Sequence, residues 1–82
     1  MKIDDFDIKE LINIYYKERP ENAAGGNFHC VFDDGNIENK DILFCIEQAA
    51  EDNDILGVTL GYLFLSLPYK QRERIYHELW SY

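Results

Sequence analysis

Twelve consecutive positions hold most of the residues whose types could do chemistry: Gly25 and Gly26, His29, then Asp33, Asp34, Gly35 and Asn36. Adjacent glycines can turn successive backbone N–H groups inward as an anion-binding nest, and a helix starting soon after Asn36 would add free N–H groups. Such a site would take a phosphate-bearing ligand such as a nucleotide signal, with Arg72 or Arg74 offsetting its charge. The same residues also have a plain structural reading. In a loop and turn, glycine supplies positive φ and Asp or Asn bonds back to the main chain. A P-loop is excluded, because the glycines precede the apolar segment and no Gly-Lys-Ser/Thr follows. His29 with Asp33 or Asp34 is the best combination for proton transfer. No other enzyme signature stands out, so no catalytic residue is assigned and a binding protein is expected.

His29, Cys30, Cys45 and His77 make up a Cys2His2 set in number only. Neither Cys-x-x-Cys nor His-x3-His spacing occurs, and adjacent residues on a strand point to opposite faces. Asp33-Asp34-Gly35-Asn36 lacks the alternating oxygen ligands of an EF-hand loop. Neither a metal nor a cofactor is expected. Two cysteines fall far short of a disulfide framework, so Cys30 and Cys45 read as free thiols packed in the core of a protein in a reducing compartment.

The elements that must position these residues follow from hydrophobic period. Ile8, Leu11, Ile12 and Tyr15 predict a helix over 8–18, with Asp7 and Glu10 as a capping box and Pro20 as its stop. Residues 19–27 read as a loop. Phe28-His29-Cys30-Val31-Phe32 alternates Phe28, Cys30 and Phe32 with His29 and Val31 and predicts a short strand. Asp33-Asp34-Gly35 would turn it back, with residues 36–38 as the second strand of a hairpin. Ile42, Cys45, Ile46 and Ala49 predict a helix capped by Asn39. After the break at Asp52-Asn53-Asp54, residues 55–67 form a helix apolar nearly all round, the central buried one. Its Gly57 and Gly61 would let a neighbour approach closely. Pro68 opens a last helix whose inner face is Ile75, Tyr76, Leu79 and Trp80. The fold class is mainly α, three to four helices with one short β-strand or hairpin.

An 82-residue chain has room for one domain, 1–82, and 46% hydrophobic residues, six Tyr and five Phe among them, give it a core. Eight Lys plus Arg stand against sixteen Asp plus Glu, a net charge of −8. That surplus argues against direct nucleic-acid and membrane-surface partners. The charge is concentrated: residues 33–54 hold eight carboxylates against Lys40 alone, a net of −7. The acidic face of residues 38–54 suits a basic groove on another protein, such as a nuclease's DNA channel. The first residues have neither the basic start nor the apolar core of a signal peptide, and 55–68 is too short and too interrupted to span a bilayer, so a cytoplasmic location is expected. Tyr62, Tyr69, Tyr76, Trp80 and Tyr82 exceed what one small core needs, and a lone hairpin is marginal in water; both point to a homo-oligomer.

Gly25, Gly26, His29, Asp33, Asp34, Gly35 and Asn36, then Phe44 and Cys45 and the run Leu67 to Tyr76, resemble a set of short uncharacterised proteins encoded by bacteriophages and prophages. Their pattern is Gly-Gly-x-x-His-x-x-x-Asp-Asp-Gly-Asn followed by Phe-Cys on the next helix, and the likeness spans most of the chain. It implies an accessory protein acting in the bacterial host cytosol against a defence component or its nucleotide signal. Two mechanisms are open: sequestering a phosphate-bearing nucleotide at the glycine, histidine and aspartate motif, or inhibiting a host protein with the acidic face in the manner of an anti-CRISPR protein.

Overall fold

The computed structural model describes residues 4–18 and 26–79. Gly25, most of the expected loop, Trp80 and Tyr82 lie outside them. Helix α1 (Asp5–Glu18) is followed by a one-turn 3-10 helix (Gly26–Phe28) that runs into a π turn (His29–Asp33). Then come α2 (Asn39–Glu51), α3 (Ile55–Leu65) and α4 (Tyr69–Leu79). The chain is mainly helical, and with the 3-10 and π segments counted it has more than the three to four helices expected.

The expected strand over 28–32 is replaced by helical turns and residues 36–38 belong to no regular element: no strand occurs among the described residues. Phe28, Val31 and Phe32 are buried, which is helical spacing, while His29 faces out. Asp33-Asp34-Gly35 does end the element, but as a helix terminator. The amides of Gly35 and Asn36 donate to Val31 and Cys30 carbonyls at 3.1 and 3.0 Å. This is the nested pair of a Schellman end with each bond one residue longer, as a π turn requires, and Gly35 takes the left-handed conformation at φ +81°.

The other helix ends follow their local chemistry. Asp4, not Asp7, caps α1, its Oδ1 accepting from the Asp7 amide at 3.0 Å. Asn39 is the first helical residue of α2, preceded by extended Glu38, and no side chain caps it. At the other end of α2, Asn53 (φ 57°) and Asp54 donate to Ala50 and Ala49 in an α-helical Schellman end. Asp54 is at once the N-cap of α3, accepting from the Gly57 amide at 3.1 Å. One residue therefore closes one helix with its backbone amide and opens the next with its carboxylate.

The core is aromatic and aliphatic. Tyr15, Phe28, Phe32 and Phe64 form a chain of rings with successive centroids 6.0, 5.5 and 5.3 Å apart. Ile8, Ile12, Ile42, Leu60 and Ile75 fill around them, fully buried. Close seating of α2 on α3 depends on two glycines. A Cβ on Gly61 would lie 2.5 Å from Ile46 and 2.6 Å from the Phe28 ring, and one on Gly57 would lie 2.4 Å from the Asp54 carboxylate. No helix among the described residues is long and apolar enough to cross a membrane.

Candidate functional site

The π turn brings His29 and Asp33 together, because residues four apart on a helical turn share a face. His29 Nδ1 is 2.6 Å from Asp33 Oδ2, and as a carboxylate only accepts, that nitrogen carries the hydrogen. Nε2 points outward with Asp34 Oδ2 at 3.9 Å. Behind them, Tyr16 of α1 donates to Asp33 Oδ1 at 3.2 Å, and Tyr76 of α4 donates to the Asp33 carbonyl at 3.4 Å. Burial, with the Asp33 charge beside it, pushes the Tyr16 phenol up and keeps it a donor. Gly35 is needed for its backbone and for space, since a Cβ there would meet the Tyr76 ring at 2.9 Å. Gly26 (φ 52°) opens the 3-10 turn, and Asn36 closes the π turn through its amide.

The two arginines go elsewhere. Arg72 is only 5% exposed. Nε donates to Phe64 and Leu67 carbonyls, Nη1 to Ile37 and Nη2 to Leu65, at 2.8 to 3.2 Å. It bonds carbonyls of the last turn of α3 and of Leu67 just beyond it and ties them to residue 37, so its charge is spent on the fold. Arg72 also borders an open 510 Å³ cleft between the first turns of α2 and α4, where Glu38 stands with Lys40. Arg74 is exposed and bonds the Asp5 carboxylate of α1 at 2.6 and 3.1 Å. Its guanidinium holds the Asp5 carboxyl below the ordinary carboxylate range. A phosphate at the π turn would thus meet Asp33 and Asp34, with both expected cations engaged by other groups. Among the described residues no three His, Cys, Asp or Glu side chains gather as a metal site.

A second surface emerges on the α2–α3 hairpin. Helix α3 is apolar nearly all round: Gly57, Leu60, Gly61 and Phe64 are buried, Leu56, Val58, Leu63 and Leu65 are half-buried, and Ile55, Thr59 and Tyr62 are exposed. Ile55 is 77% exposed and Tyr62 56%, with Leu43 of α2 at 46%. Ile55 stands between two shallow depressions. One, of 180 Å³, is lined with Ala50, Val58 and Thr59; the other, of 340 Å³, with Ile14, Tyr15 and Leu56. Glu47, Glu51 and Asp52 are exposed on the α2 side and its end, whereas Asp54, counted in the acidic stretch, is buried. The signal for this surface was α3 itself: an element apolar all round in a chain this small has more apolar sides than neighbours.

No protein-family model matches the chain, and no curated protein or solved structure matches it.

Proposed function

We propose that this is a phage-type accessory protein that binds and blocks a host defence protein, using the α2–α3 hairpin as its contact face and needing no small-molecule ligand. The carrying observation is that the two helices of this hairpin expose Leu43, Ile55 and Tyr62 together with Glu47 and Glu51. An apolar centre with a charged rim is the make-up of a protein interface, and the rim selects a basic partner surface such as a nucleic-acid groove. The phage assignment rests on the motif resemblance. Sequestration of a nucleotide signal at Gly25, Gly26, His29 and Asp33 to Asn36 has less support, because Arg72 and Arg74 are engaged elsewhere. Self-association through the same face is disfavoured, since a two-fold interface would bring the acidic rims of both copies together.

The test is phage plating on bacteria that carry individual defence systems and express the chain. Tyr62→Glu with Ile55→Glu should abolish any rescue, Glu47→Lys with Glu51→Lys should weaken it, and His29→Ala should keep it. Loss with His29→Ala and retention with the hairpin variants would sink the proposal in favour of the nucleotide reading. Light scattering on the purified chain would expose self-association as a mass above 9.7 kDa.

A further inference from the structure

Cys30, on the π turn, and Cys45, on α2, are both free thiols with sulfur atoms 3.1 Å apart. A disulfide needs about 2.05 Å, so the pair is roughly 1 Å short of bonding distance. Cys45 is buried and Cys30 is half-buried, which gives the pair one reachable member and one protected member. We propose that Cys30 and Cys45 are a reversible modification site, oxidised to an intramolecular disulfide that locks the π turn onto α2.

The oxidant is a small-molecule disulfide. The Cys30 thiolate attacks one of its sulfurs, forming a mixed disulfide and expelling one thiolate. Cys45 then attacks the Cys30 sulfur, forms the Cys30–Cys45 bond and expels the second. The protein thiols give up two electrons and two protons in all, and the small disulfide becomes two thiols. Burial pushes the Cys45 thiol up, and so does Cys30 beside it, which makes Cys30 the entry point; capping Cys30 removes that second influence. The bond would act on the turn directly, because the Cys30 carbonyl accepts from the Asn36 amide at 3.0 Å and so closes the π turn. This inference is independent of the hairpin face.

The purified full chain is equilibrated with mixtures of oxidised and reduced glutathione, natively and in urea, and weighed by mass spectrometry. The native chain should lose two hydrogens without gaining glutathione, and its disulfide should form at a ratio of oxidised to reduced glutathione at least about tenfold lower than in urea. In the oxidised chain the Asn36 amide should exchange with solvent at least about tenfold more slowly than in the reduced one. Cys45→Ala should leave a stable glutathione adduct on Cys30. Should that variant unfold, Cys30→Ser serves instead, and its buried Cys45 should stay unmodified natively. A lasting adduct on Cys30 of the native wild type, or a disulfide that forms equally readily in urea, would overturn the proposal.

Discussion

Tyr15 and Tyr16 are neighbours on α1, and each sends its hydroxyl to an aspartate, with opposite consequences. Tyr15 is fully buried and donates to Asp54 at 2.7 Å. The same Asp54 oxygen accepts from the Asn27 side chain, and the Asn27 amide donates to the Tyr15 hydroxyl at 3.1 Å. With the Gly57 amide, α1, the 3-10 turn and α3 thus meet at one carboxylate that is 8% exposed. Tyr16 donates to Asp33, whose other oxygen faces an exposed histidine. In the first region a loss removes a bond from a buried carboxylate; in the second, water can take the vacated place. The chemically conspicuous cluster is therefore the one the fold can most easily spare, and the inconspicuous aspartate is the one it cannot.

Substituting matched positions in the two regions should break or sharpen this contrast. The largest effect is expected from Asp54→Ala, which removes the α3 cap and the acceptor shared by the Tyr15 hydroxyl and the Asn27 side chain, at about 3 to 4 kcal/mol in urea unfolding, against about 1 kcal/mol for Asp33→Ala. Equal losses would erase the distinction. Tyr15→Phe should cost about 2 kcal/mol and Tyr16→Phe less than about 1 kcal/mol. The glycines give the next pair. Gly57→Ala forces the Asp54 carboxylate aside for about 2 kcal/mol despite alanine's helix preference. Gly35→Ala meets a left-handed backbone and a Tyr76 ring that can swing, for about 1 kcal/mol, read as a shift in thermal midpoint. The smallest effect concerns acid. Asp5 has a lowered folded-state pKa, so its contribution is complete above the ordinary value of 3.8 and disappears as pH falls through the folded value. Asp5→Asn should unfold more readily than wild type near neutrality, and the two should converge as the solution is acidified below pH 3.8.

Much of this was legible from spacing. Ile42, Cys45, Ile46 and Ala49 are all buried, as their period implies, and α1 buries Ile8, Ile12 and Tyr15. A strand over 28–32 is not distinguishable from a helical turn by pattern, because five residues are too few to separate a period of two from a helical one, and Phe28 to Phe32 satisfies both. Asp54 was hidden among Asp52 and Asn53, where composition marks a break but cannot say which side chain turns inward. Arg72 was assigned by its charge, although its position is in phase with Ile75, Tyr76 and Leu79 and so on the inner face. The motif's grouping of His29 with Asp33 survives, produced by a helical turn that no residue type in the segment announces.

Asp54 ends α2 and begins α3, so neither helix can fray at that junction without the other. The contacts that join them, Ile46 to Gly61 and Ala49 to Gly57, are close in sequence. Little chain entropy is lost in closing such a short loop, and low contact order favours speed. The hairpin is the natural nucleus for folding, with α1 docking later when the Tyr15 hydroxyl reaches Asp54. On that order of events, Gly57→Ala should mainly slow folding, while Tyr15→Phe should leave the folding rate almost unchanged and hasten unfolding.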